Sequence, residues 1–145
     1  MLQFGEFKAG VDYIERPCAY AVIHNASGQV AVLRTRKGYF LPGGGIHLEE
    51  TPEEALVREV LEETGYASII IGQIGLAAQY TYAKKKRMHY RKIGHFFAAR
   101  FTEKVAEPME KDHELYWHSV EHAVKAMKHE FHSWAVRKAL ELRRR

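Results

Sequence analysis

At 145 residues, 46% of them hydrophobic, the chain has the size and apolar content of one compact domain with a core of its own. No run approaches the ~18 apolar residues of a membrane span, and the start MLQFGEFKAG lacks the charged and apolar regions of a secretory leader. A soluble, cytoplasmic protein with no membrane partner is expected, and its lone cysteine, Cys18, excludes an internal disulfide framework. The net charge is +4, yet between Gly44 and Tyr66 seven carboxylates stand against one cation, Arg58. Such an acidic patch in a basic chain suits a metal site handling an anionic substrate, and equally an ordinary solvated helix.

In chain order, Pro17 to His24 and Val30 to Thr35 are apolar, β-prone runs separated by the turn formers Asn25-Ala26-Ser27-Gly28, which predicts a hairpin. Tyr39 to Gly45 ends in Pro42-Gly43-Gly44-Gly45 and predicts a loop, because proline removes a donor and glycine admits backbone angles barred to other residues. Thr51-Pro52-Glu53-Glu54 has the form of a capped helix start, with Thr51 as cap, proline at the first turn and Glu54 completing a capping box. Gly65 marks its end, and Ala55, Leu56, Val60 and Leu61 supply an apolar side. Ala67 to Tyr82 and Met88 to Phe101 predict a second, longer hairpin with a tip of Lys84-Lys85-Lys86-Arg87. Leu115 to Trp117 reads as a short strand, Ser119 as a helix cap, and Phe131 to Leu142 as a last helix. Without a repeat or linker, residues 1–145 read as one domain of mixed strands and helices, an α/β class with a sheet packed by helices.

The chemistry concentrates in the helix. Glu59 and Glu63 are four residues apart and Glu59 and Glu62 three, so all three carboxylates share one helical edge and repel one another. A hard divalent cation with oxygen ligands would reverse that repulsion, Mg²⁺ first and Mn²⁺ next. The whole stretch runs Gly44, five residues, Glu50, seven residues, then Arg58-Glu59-Val60-Leu61-Glu62-Glu63-Thr64-Gly65-Tyr66, and it resembles the box of the Nudix hydrolases at eight fixed positions. Two departures are Tyr66, where an aliphatic residue is usual, and Glu49, where many members have glycine.

The resemblance implies a Nudix α/β/α sandwich with a mixed sheet between helices. It implies hydrolysis, by water attack at phosphorus, of a phosphoanhydride bond in a nucleoside di- or triphosphate, a dinucleoside polyphosphate or a related derivative, with the 5′ end of an RNA as a further partner. Carried over by position, Glu59, Glu62 and Glu63 become metal ligands and catalytic groups, with a backbone carbonyl of the Gly43-Gly44 turn as another ligand. Arg58 and Glu50 become an ion pair that braces loop against helix. A supplementary carboxylate outside the box is expected at Glu114, with Glu110 and Glu107 as rivals; the general base stays unassigned. The alternative is a non-catalytic Nudix-fold nucleotide sensor or RNA-binding module, although such domains commonly lose the carboxylates kept here.

Weaker signals remain. Tyr80 and Tyr82 alternate to one face of a strand and either stack on a base or pack within the protein, and Arg34 is a third candidate for substrate binding. His113-Glu114 and His118 are one residue too far apart for the zinc-binding HExxH pattern, and His129-Glu130-Phe131-His132 one too close. The cationic runs Lys84 to Arg87 and Arg143 to Arg145 fit phosphate contacts or simply a solvated tip and tail. A homodimer is compatible with all of this.

Overall fold

The computed structural model describes residues 1–144. Its strands are β1 (Leu2–Phe4), β2 (Tyr13–Ile23), β3 (Val30–Thr35), β4 (Gly38–Phe40), β5 (Gly43–Gly45), β6 (Tyr66–Ala83), β7 (Met88–Lys104) and β8 (Glu114–His118). Its helices are α1 (Pro52–Thr64), α2 (Val120–Ala126) and α3 (Glu130–Arg143). One mixed sheet has the order β1-β6-β7-β2-β5, and a smaller antiparallel sheet has the order β4-β3-β8.

The centre of the fold is β2. Residues Cys18 to Ile23 are all buried, the continuous apolar run of a strand covered on both faces. Cys18, Tyr20 and Val22 alternate into a core with Phe131, Ala135, Val136 and Ala139 of α3. Ala19, Ala21 and Ile23 point the other way, into a core with Ala55, Leu56 and Val60 of α1. The large sheet therefore lies between α1 and α3, the α/β/α sandwich expected from the resemblance.

Two expectations are corrected. The runs before and after Asn25 to Gly28 do not form a hairpin: the turn is made, but β2 and β3 enter different sheets and share only the bridge His24 to Val30. Both edges of β2 are already taken, by β7 in parallel and by β5 antiparallel, so β3 has nothing left to pair with. The segment Tyr39 to Gly45 is not a plain loop either, since its ends form β4 against β3 and β5 against β2. Extended glycines can lie flush on β2 where any side chain would collide: a Cβ on Gly43, whose φ is +144°, would sit 2.1 Å from the Ala19 carbonyl oxygen. The short β1, parallel to β6, had no signal of its own in the sequence.

Pro17 lies inside β2 at no cost to the ladder with β7. Its carbonyl accepts from the Ile46 N–H on the β5 side, and its nitrogen faces the same side, beyond the end of β5. The helices and the long hairpin follow the sequence reading closely. Thr51 caps α1 with both halves of the capping box made, and Gly65 ends it at φ +78°.

Two histidines at the start of α3 are held neutral. Burial, reinforced by Lys92 and Lys128, lowers His129 to about 4, and burial carries His132 well below the usual histidine range. The unfolded chain binds protons at these positions below pH ~6.5 while the folded protein does not. Their stabilisation is therefore full above pH ~6.5 and is lost as the pH falls from there toward 4. Wild type should lose Tm relative to His129→Asn over that interval; a constant difference between pH 7 and 4.5 would contradict a buried neutral His129.

Candidate active site

The acidic edge of α1 is pressed onto β5. Gly44 has no side chain because there is no room for one: a Cβ there would lie 2.7 Å from Glu59 Cδ and 2.8 Å from its Oε2. One turn further along, Glu63 Oε1 accepts a 2.8 Å hydrogen bond from the Gly43 N–H. Carboxylate and glycine backbone thus meet at two successive residues of β5.

Arg58 locks the surrounding loop. Its Nε and Nη2 form a fork on Glu50 at 2.6 and 3.0 Å, Nη2 also donates to the Gly45 carbonyl at 3.0 Å, and Nη1 lies 3.1 Å from Glu59 and 3.3 Å from Glu62. The guanidinium holds the Glu50 carboxyl down to about 2. Glu49, just before it, has φ +73°, a left-handed conformation that disfavours any side chain. That is a physical reason for the glycine many Nudix boxes carry there.

Glu59 and Glu63 are short of positive charge. Burial raises both, Glu59 against the opposing pull of Arg58, and Glu63 to about 7 against the pull of His113 and the Gly43 N–H. His113 Nδ1 stands 3.3 Å from Glu63 Oε2, at ion-pair distance but off the line of a hydrogen bond, and the carboxylate raises the imidazole in turn. In the sequence His113 stands out only through a spacing to His118 that misses a zinc motif, and no local spacing links it to Glu63, fifty residues earlier. The connection is tertiary: Met109 N–H donates to the Glu62 carbonyl at 2.7 Å and Val105 N–H to the Gly65 carbonyl at 2.9 Å, so the loop after β7 docks on the C-terminal end of α1.

The other candidates fall in three places. Glu114 opens β8 and pairs in register with Arg34 of β3; both are exposed, and Glu114 Oε2 accepts from Tyr116 Oη at 3.2 Å. Glu107 reaches only Lys104 at 3.6 Å, and Glu110 is exposed. Tyr80 and Tyr82 lie on β6, with β7 and β2 between them and β5, hence about 14 Å away across the sheet. Tyr80 donates to Gln3 and packs edge-on against Tyr13, and Tyr82 packs against His89, so neither is drawn to the acidic edge.

The donor set fits a hard cation in kind: a buried and a half-buried carboxylate whose charge burial still disfavours, and main-chain carbonyls in a strand without side chains. Among the described residues no three His, Cys, Asp or Glu side chains already converge on one point. Glu62 turns instead toward Arg58, so joining Glu59 and Glu63 requires it to rotate off the guanidinium.

Comparison with known proteins decides the family. The model of the NUDIX domain matches residues 15–140. The chain belongs to the Nudix hydrolase family. A Bacillus subtilis (strain 168) protein provisionally named an 8-oxo-dGTP diphosphatase is 31% identical over 77 residues, 52% of each chain. An RNA pyrophosphohydrolase of Alkalilimnicola ehrlichii is 42% identical over 62 residues, 41% of this chain and 34% of that one. The matches thus span about half and a third of these relatives' lengths. A NUDIX hydrolase from Nitrosomonas europaea superposes with a TM-score of 0.72 at 14% identity, covering 88% of this chain and 89% of that one, which shows a shared fold.

Two substitutions test the geometry. Gly44→Ala forces the Glu59 carboxylate away from β5, and turnover should fall at least tenfold with Tm changed by only a few degrees; full activity would show that this contact is dispensable. Glu49→Gly removes a left-handed glutamate and should leave Tm unchanged or raise it, and a clear fall in Tm would contradict that strain.

Proposed function

We propose that this Nudix protein hydrolyses a phosphoanhydride bond of a nucleotide-like substrate, with Mg²⁺ or Mn²⁺ held by Glu59, Glu62, Glu63 and a carbonyl of the Gly43-Gly44 strand. The observation that carries the reading is the seating of Glu59 on Gly44 and of Glu63 on the Gly43 N–H, which puts one half-buried and one buried carboxylate against bare backbone. The cation, when bound, supplies charge neutralisation to the phosphates and acidifies attacking water. The chain supplies position. Gly43 and Gly44 let β2 and the Glu59 carboxylate press onto the main chain, while Gly45, open on its Cβ side, leaves room there for a phosphate oxygen, and Arg58 with Glu50 keeps β5 and the start of α1 in fixed relation.

Glu63 is the side chain best oriented to take a proton from water, because the Gly43 N–H fixes one oxygen and His113 adjoins the other. His113 is a positioning residue in this scheme. The names of the two relatives support substrates of the nucleoside triphosphate and 5′-phosphorylated RNA classes. Glu114 remains a proposed auxiliary carboxylate: it follows His113 directly, and its exposure leaves it free to turn toward a bound substrate.

The combined Glu62→Gln and Glu63→Gln substitution should reduce metal-dependent release of phosphate or pyrophosphate at least a thousandfold across a panel of nucleoside triphosphates, dinucleoside polyphosphates and 5′-triphosphorylated RNA. Resolving the products identifies the bond that breaks. Unchanged turnover in the double variant would sink the proposal, and binding without hydrolysis across the panel would favour a nucleotide sensor.

A further inference from the structure

A cluster of rings lies outside the core, at the far end of the large sheet. Register sets Tyr13 of β2 opposite His89 of β7, and His89 opposite Tyr82 of β6, so the three stand in a row on one face. The Tyr13 and His89 rings are 5.6 Å apart and those of Tyr82 and His89 4.6 Å. Tyr80, one row along, turns the same way and meets Tyr13 edge-on at 4.8 Å. The segment before β2 folds over this row: Phe7 stacks on Tyr13 at 5.7 Å, and the Lys8 N–H donates to Tyr13 Oη at 2.9 Å. Where the two layers meet there is an open cavity of about 170 Å³, walled by Glu6, Lys8, Tyr13, Tyr80, Tyr82 and His89, with Thr81 beside them.

These rings are not placed as core aromatics are. Phe7 is 61% exposed and Tyr82 52%, and among the described residues the only ring against Tyr82 is His89. Just beyond Tyr82 the hairpin closes through Ala83 and Met88, and the tip between them, Lys84-Lys85-Lys86-Arg87, is exposed throughout. With Lys8 that sets five cations beside the cleft, against Glu6 and Asp12, and none of the five forms an ion pair among the described residues. Glu15, in the row of Tyr80, is already answered by Arg91 at 3.0 Å.

Open rings beside unpaired cations are the composition of a surface for single-stranded nucleic acid, in which bases stack on the rings and phosphates follow the charges. A plain polyanion has no use for the rings. An anionic membrane would meet a concave site whose wall carries Glu6 and Thr81, and burying those in acyl chains is unfavourable. A base edge, by contrast, can donate to the Glu6 carboxylate.

The cleft is also separate from the acidic edge. Odd-numbered residues of β2 face α1, so Tyr13 shares the face of Ala19, which pairs with Gly44 beneath Glu59. Tyr13 precedes Ala19 by six residues, roughly 20 Å along the strand. The two sites have no residue in common.

We propose that Tyr13, Tyr82 and His89, with Lys8 and the Lys84 to Arg87 tip, bind a single-stranded polynucleotide, one base stacking on Tyr82 in the cleft and the neighbouring phosphates lying along the tip. RNA and DNA supply the same rings and phosphates. Binding here requires no hydrolysis, so this surface goes beyond the phosphoanhydride reading and does not depend on it.

Fluorescence anisotropy with EDTA present would follow a labelled 5′-hydroxyl oligouridylate of roughly ten nucleotides, which carries no anhydride. Its competitors would be unlabelled single-stranded RNA and DNA of that length, duplex RNA, inorganic polyphosphate of equal charge, and phosphatidylserine vesicles. The single strands should compete at least tenfold better than the other three, and the stronger of the two identifies the sugar. Tyr82→Ala should weaken binding about tenfold with Tm changed by only a few degrees, and Tyr82→Trp should restore it. Replacing Lys84, Lys85 and Lys86 together by Gln should flatten the slope of log affinity against log salt by up to about 2. No binding, affinity that survives Tyr82→Ala, or polyphosphate or vesicles competing as well as RNA would overturn the surface. Nucleoside triphosphate hydrolysis without strand binding would sink this surface alone; strand binding without Mg²⁺-dependent hydrolysis would sink the hydrolase alone.

Discussion

The structure depends on a close approach between a helix edge and a strand that has no side chains. Glu59 can be half-buried and Glu63 buried because β5 offers them a glycine Cα and a backbone N–H in place of apolar groups. Burying two carboxylates one turn apart is unfavourable, and most of what surrounds them reduces that cost. The Gly43 N–H and His113 serve Glu63, while Arg58 serves Glu59 and at the same time ties Glu50 and Gly45 into the same assembly. Glu62, more exposed, takes what remains of the guanidinium.

Because β2 is covered on both faces, the sheet also partitions charge. Its odd-numbered central residues pack under α1, whose outer edge is anionic, and its even-numbered ones face α3, where Lys92 and its neighbours gather. The chain's positive total is thus an average over two opposed surfaces, and composition alone gives no hint of the division.

Elements with local causes were legible in the sequence. Thr51, Pro52, Glu54 and Gly65 specify α1 within one stretch of chain, and the carboxylates Glu59, Glu62 and Glu63 share an edge by helical geometry alone. The β6–β7 hairpin is equally local, closing at Ala83 and Met88 around its cationic tip. The failures have one root in common. Whether Val30 to Thr35 pairs with β2, or the triple glycine becomes a strand, depends on which strand edges are already occupied, and that is settled by β7 arriving some seventy residues later.

The sequence by itself therefore determined the helix, the order of its acids, the membership of the Nudix family that the spacing implied, and the alternation that makes a sandwich. Periodicity and capping act over a few residues and can be read directly. Tertiary structure alone decided that His113 stands against Glu63, that Gly44 must stay bare beneath Glu59, and that Tyr80 and Tyr82 lie on β6 with two strands between them and β5. Each of these is a meeting of segments far apart in the chain, governed by sheet order and register, for which no short-range pattern carries a signal.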